Sequence, residues 1–198
     1  MSSILSSLDE FDLGGNSRSR ILSLHDIVDA VSVSQIVNEI NKINEEDQQT
    51  ERELAYQYDI TNYKRKPIYL DISTPGGSVY DGLVLVSVIE QSKTPIITRI
   101  QGYAFSFGLI LLLAGHERHV SRHASLMYHQ ILTEISGPLK DIEESLAISK
   151  ELQERLENYV IEKTKLTKER LNKIYRQKKD VYIYAEEALE LGIATKII

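Results

Sequence analysis

Pro95-Ile96-Ile97-Thr98-Arg99-Ile100, then Gly102-Tyr103-Ala104-Phe105-Ser106-Phe107-Gly108, then Leu109-Ile110-Leu111-Leu112-Leu113-Ala114-Gly115, decide the fold. The first run is β-branched and continuous, as expected of a strand covered on both faces. The last is an apolar helix stopped by glycine. Ser106 sits in the turn between them, so its neighbours' N–H groups lie at a helix N-terminus, the positive end of the dipole.

Outward from this centre the chain repeats the pattern. Arg20–Leu24 reads as a first strand, and a helix follows from about Ser34 with Ile36, Val37, Ile40 and Ile43 on one face. From Asn44 to Lys66 the charged, amide-rich and tyrosine-containing sequence (Tyr56, Tyr58, Tyr63) either extends that helix or makes an exposed excursion. Pro67–Ile72 is a strand stopped by Pro75-Gly76-Gly77. Val79–Gln91 is a helix with Leu83, Val84, Val86 and Ile89 inward. Short strands fall near Arg118–Ser121 and Ser125–Tyr128. A long helix spans about Pro138 to Lys163, with Pro138 suited to its first turn and the acidic Asp141-Ile142-Glu143-Glu144 favoured by the dipole there. Thr167 caps a shorter helix through Arg176. Ala185–Leu191 is a last helix ended by Gly192, and Ile193–Ile198 a last strand. Alternating strands and helices predict a layered α/β fold.

Bulk properties narrow the function. The 198 residues are 42% hydrophobic, enough for one α/β domain with a full core. A net charge of −6 gives no electrostatic reason to bind nucleic acid or an anionic membrane. With no cysteine there is neither disulfide nor thiolate chemistry, which fits a reducing, cytoplasmic setting. The apolar run Leu109–Ala114 is far short of the ~20 residues of a membrane span, and Met1–Leu5 has no signal-peptide character.

Three residues form a chemical inventory. Ser106 follows a strand, His129 follows the apolar Met127-Tyr128, and Asp180 precedes Val181-Tyr182 near the C-terminus. A serine hydroxyl is a poor nucleophile until a base takes its proton and an acid orients the base. Gly76-Gly77 supplies a turn able to aim N–H groups at a developing oxyanion; with no Lys-Ser/Thr after it, it is not a phosphate cradle. Taken alone, Ser106 reads first as a helix-start cap; His129 can be read as a core histidine and Asp180 as a turn carboxylate, with Asp141 a substitute acid. His116, His119 and His123 read as packing or surface histidines rather than a metal site, because no carboxylate completes a shell.

The ordered set of motifs resembles the proteolytic subunit of the Clp protease. Ser19-Arg20-Ile21-Leu22, Ser73-Thr74-Pro75-Gly76-Gly77-Ser78-Val79, Gly102–Gly108 with Leu112–Gly115, Met127-Tyr128-His129-Gln130, Asp180 ahead of Ala185-Glu186-Glu187-Ala188, and Gly192-Ile193 occur in that family's order. The resemblance implies a crotonase-like twisted sheet core with a projecting long helix, a handle at 138–163. It implies a single peptidase domain over 20–198 behind a flexible arm at 1–19. It implies Ser106 as nucleophile, His129 as general base and then acid, Asp180 as orienting acid, and the Gly77 and Phe107 N–H groups as oxyanion hole. It further implies a serine endopeptidase of unfolded polypeptides, assembled as two stacked heptameric rings and fed by an AAA+ unfoldase. Neither metal nor organic cofactor is called for, and ATP is used only by the partner.

Against that family the 48–66 segment reads as an insertion. Phe105 and Phe107 flank the serine as a narrowing of its pocket. The usual proline after His129-Gln130 is missing, and the glycine-rich handle strand shrinks to Gly137-Pro138. These departures suit an outlying, phage-borne member. A non-catalytic ring subunit, a capsid-maturation protease and a crotonase-type acyl-CoA enzyme are the competing readings.

Overall fold

The computed structural model describes residues 19–177 and 180–198; the arm expected at 1–19 lies outside them except for Ser19. Seven strands form one sheet. β1 (Ile21–Leu24), β2 (Ile68–Thr74), β3 (Ile96–Phe105), β4 (Glu117–Val120) and β7 (Lys196–Ile197) lie side by side in that order, all parallel. β5 (Ser125–Tyr128) pairs with the far end of β3, and β6 (Val181–Tyr184) runs antiparallel to β5.

Side-chain alternation fixes which face is covered. Along β2, Ile68, Leu70, Ile72 and Thr74 are buried while the residues between them are half-buried. On the more open face Arg99 forks onto Asp71 at 2.5 and 2.8 Å and lies over the Tyr69 ring. The helices α1 (Ala30–Tyr58), α2 (Val79–Gln91) and α3 (Phe107–Ala114) pack on one another in sequence. α3 is buried all round, as its composition demands.

α1 begins earlier than Ser34 because Asp29 caps it. The Asp29 carboxylate accepts from the N–H groups of Val31 and Ser32, and Ser32 Oγ accepts in return from the Asp29 N–H. These bonds hold the Asp29 carboxyl below its ordinary value. The helix also runs through the ambiguous segment as far as Tyr58, and the next residue, Asp59, takes a left-handed φ of 55°. Buried Asp47 anchors this part: it pairs with Arg20 and accepts from Thr94 Oγ1 at 2.6 Å. Arg65, on the returning chain, clasps Glu51 at 2.7 and 2.8 Å. Tyr56 and Tyr58 stay exposed.

Three expectations need correction. In α2 the inward stripe is Gly82, Leu85, Val86 and Ile89, and Val84 is exposed; Gly82 must face the core because the Phe107 ring occupies the place of its missing Cβ, 2.2 Å away. The last strand is only two residues long, since the N–H groups of Ile193 and Ala194 both turn back to the Ala188 carbonyl. Val181–Tyr184, not expected as a strand, is β6.

The long helix α4 (Leu139–Lys163) follows Pro138. Leu152, Leu156 and Val160 are buried, whereas Leu139, Leu146 and Ile148 nearer its start are exposed. α5 (Lys168–Gln177) is capped by Thr167, whose Oγ1 accepts from the Arg170 N–H at 3.3 Å. α6 (Ala185–Glu190) leads into a Gly192 turn with φ 71°. No described helix is long and apolar enough to cross a membrane.

Candidate active site

The site forms where β3 changes partner. Its first half, Ile97–Ile100, pairs with β4; its last three residues, Tyr103–Phe105, pair with β5. β2 shifts register between Ile72 and Thr74 at the same level, an irregularity of the kind found beside functional sites. The opened sheet end brings the tips of β3 and β5 together.

Ser106 makes the strand-to-helix corner. Its φ of 54° and ψ of −120° are strained for a residue with a Cβ, a strand-to-helix geometry of the kind that presents the nucleophile in α/β-hydrolases. Surrounding bonds hold the corner: the Ser106 N–H donates to the Met127 carbonyl at 2.9 Å and its own carbonyl accepts from Leu109 N–H at 3.1 Å. Gly76 packs so closely that a Cβ there would lie 2.7 Å from Ser106 Cβ. Ser106 Oγ makes no helix-capping hydrogen bond, so the hydroxyl is not spent as a cap.

A cavity of about 240 Å³ opens at this corner, lined by Ser106, His129, Gly77 and Phe107 among others. Apolar walls come from Val79, Ile110 and Leu156, and Gln153 and Tyr128 add polar atoms. Gly77 is fixed by a bridge to Val28: Val28 N–H donates to Gly76 O at 2.8 Å, and Ser78 N–H donates to Val28 O at 2.7 Å. That pattern engages the residues on either side and leaves the Gly77 N–H pointing away from Val28. A Cβ at Gly77 would strike Val28 O at 2.2 Å, so glycine is required there. Phe107 is the first residue of α3, so its N–H has no acceptor within the helix.

His129 follows the last residue of β5 and is half-buried. Across from it, β6 pairs Val181 with Tyr128; continuing that register by one residue sets Asp180 opposite His129. Asp180 is exposed and does not line the cavity. Among the described residues no hydrogen bond joins Ser106 Oγ, the His129 ring and Asp180 to one another. Asp141 lies in the first turn of α4, outside the cavity lining.

The two phenylalanines part company. Phe107 is buried over Gly82 and lines the cavity, while Phe105 turns to Tyr103 and Tyr182, with ring centroids 5.0 and 5.9 Å away. Two of the remaining histidines have local duties: His116 Nδ1 accepts from the Ile96 N–H at 3.1 Å, and buried His119 lies 3.0 Å from Glu117; His123 is exposed. Sequence reading missed Tyr128, Gln153 and Leu156 as cavity residues. Burial pushes the Tyr128 phenol up to about 12, with nearby Glu157 adding to the effect. Leu156 was signalled by its place on the apolar face of α4, but nothing local in the sequence ties that face to β5.

Known proteins resemble this chain in sequence. The Clp protease family profile matches residues 23–198. The ATP-dependent Clp protease proteolytic subunit 2 of Synechococcus sp. (strain CC9605) is 30% identical over 183 residues, covering 91% of this chain and 84% of that protein. The ATP-dependent Clp protease proteolytic subunit 1 of Prochlorococcus marinus (strain MIT 9312) is 35% identical over 135 residues, 67% of this chain and 68% of that one. Subunit 2 of Parasynechococcus marenigrum (strain WH8102) is 30% identical over 183 residues, with 91% and 84% covered. Matched along nearly its whole length by the family profile, and at this level by relatives covering most of it, the chain belongs to the Clp protease family.

Proposed function

We propose that the chain is a serine endopeptidase that cuts unfolded polypeptide. One observation carries the reading: a serine held in a strained strand-to-helix corner shares a cavity with a histidine and with two residues whose backbone N–H groups are left over by the local pairing. Membership of the family supports a protease role.

In this mechanism Ser106 Oγ attacks the scissile carbonyl while His129 takes its proton. Asp180, reached along the β5–β6 register, holds the imidazole tautomer. The Gly77 and Phe107 N–H groups receive the oxyanion, and losing one such donor costs about 3–4 kcal/mol of transition-state stabilisation. His129 then protonates the leaving amine, and water releases the acyl-enzyme. The chemistry needs no metal or organic cofactor.

Assembly follows the same reasoning. The exposed Leu139, Leu146 and Ile148 of α4 suit a contact between copies, in keeping with a chamber of two stacked heptameric rings. The relatives bear names that specify ATP dependence, which fits an AAA+ unfoldase delivering substrate in the cytoplasm. A fluorophosphonate probe tests the chemistry: it labels the wild-type chain and not Ser106→Ala. Native mass spectrometry of the same samples reads the assembly.

The second reading, a non-catalytic ring subunit, draws on the missing Ser106–His129–Asp180 hydrogen bonds. Catalytic contacts are often loose before substrate binds. An unlabelled but fully assembled wild-type ring would favour that subunit role.

A further inference from the structure

From the wall of the cavity runs a partly buried polar chain that the proposed mechanism does not use. The Gln153 side-chain carbonyl accepts from the Ile131 N–H at 2.8 Å, two residues beyond His129. Its amide donates to Glu157 Oε1 at 2.9 Å and faces the Tyr128 hydroxyl at 3.5 Å. The other Glu157 oxygen accepts from Lys168 Nζ at 3.0 Å. Glu157 is only 5% exposed, although it sits on the apolar face of α4 between Leu156 and Val160. Burying a carboxylate there is costly unless its oxygens are satisfied, and here Gln153 satisfies one and Lys168 the other.

The two ends of this chain differ. Lys168 is at the first turn of α5 and partly open to solvent. Ile131 lies in residues 129–138, which have no regular structure and no ladder to fix them. The Ile131 N–H, two residues past His129, is therefore held by one side chain, and that side chain is oriented by the buried carboxylate. The donor and acceptor ends of the Gln153 amide are assigned by their partners, an N–H on one side and a carboxylate on the other.

We propose that Gln153 is a positioning residue, fixed by Glu157 and Lys168, that sets the backbone carrying His129 and so the placement of its ring against Ser106. The proposal rests on the peptidase reading for its kinetic consequence, though not for the anchoring itself. Gln153→Leu removes both bonds. Gln153→Glu keeps an acceptor for Ile131 but sets two carboxylates face to face. The exchange Gln153→Glu with Glu157→Gln restores an acceptor for Ile131 and a donor between the two side chains.

The test uses the full assembled chain. Expected are a fall of about 10- to 100-fold in kcat/KM for a fluorogenic peptide in Gln153→Leu and in Gln153→Glu, the size a misplaced catalytic group produces. The fall is carried by kcat, and the double exchange returns most of it. Amide exchange measured by mass spectrometry over 129–135 should quicken in the two single variants and return to normal in the double. Wild-type kinetics in Gln153→Leu, or a double variant no better than Gln153→Glu, would overturn the proposal. Should the wild-type chain prove inert to the fluorophosphonate probe, the peptidase reading fails; faster exchange in Gln153→Leu then still supports the anchor, and unchanged exchange overturns it.

Discussion

The two ends of β3 obey different rules. From Ile96 to Ile100 the strand lies between β2 and β4, and four of its five residues are buried. From Gln101 to Phe105 it has left β4, three residues in a row are exposed, and the run finishes at the strained Ser106. The first half is a scaffold whose worth is burial. The second is an edge, where burial is given up and the Ser106 N–H donates to Met127 of β5. A parallel sheet keeps both uses on one strand by changing neighbours midway.

The comparison predicts that chemistry and stability separate along this strand. The largest effect belongs to the edge: Ser106→Ala should lower kcat by about 10,000-fold or more while leaving the unfolding midpoint near the wild-type value. A variant that lost both together would place Ser106 with the scaffold. Next comes the seam between the halves. Gly76→Ala puts a Cβ 2.7 Å from Ser106 Cβ at a φ of 101°. It should cost about 100-fold in kcat/KM together with about 1–3 kcal/mol of stability, read from peptide hydrolysis and denaturant titration.

At the scaffold end, Ile100→Ala, at a fully buried position, should cost about 2–5 kcal/mol, with activity per folded molecule retained. A loss of turnover beyond the unfolded fraction would blur the distinction. The smallest effect tests a residue with both characters. Tyr128 lines the cavity yet is buried, and its phenol is raised to about 12. The folded chain thus keeps a proton that the unfolded chain releases near pH 10. Stability should be intact below about pH 10 and fall by about 2 kcal/mol as pH rises to 12. Tyr128→Phe should lack this portion of the alkaline loss when unfolding is compared at pH 9 and pH 11.5.

The scaffold was the more legible part. Ile96–Ile100 and Val79–Gln91 announce themselves by continuous or periodic apolar residues, and β5 by Ser125–Tyr128; the structure has them at those places. The sharp corner at Ser106 is encoded only indirectly, through Gly76, which leaves room for the Ser106 Cβ, and Gly108, which leaves room for Thr74. β6 escaped notice because its partner is more than fifty residues earlier, and because only Ile183 of Val-Tyr-Ile-Tyr is deeply buried. Gln153 and Glu157 were hidden for a related reason: on a helical wheel they are polar interruptions, and the donors that bond them come from the segment after β5 and from α5. Asp180 came from motif order alone, and its register opposite His129 depends on the very strand that pattern reading did not find.

The pairing scheme also governs how the chain must fold. Among the described strands every neighbouring pair is parallel except β5–β6, and that pair encloses the whole of α4 and α5. Among the described residues no hairpin can zip up locally; each ladder must await closure of a crossover, and entropy slows such closures. Refolding from denaturant is accordingly expected to be sluggish, with unpaired strand edges open to intermolecular capture in the interval.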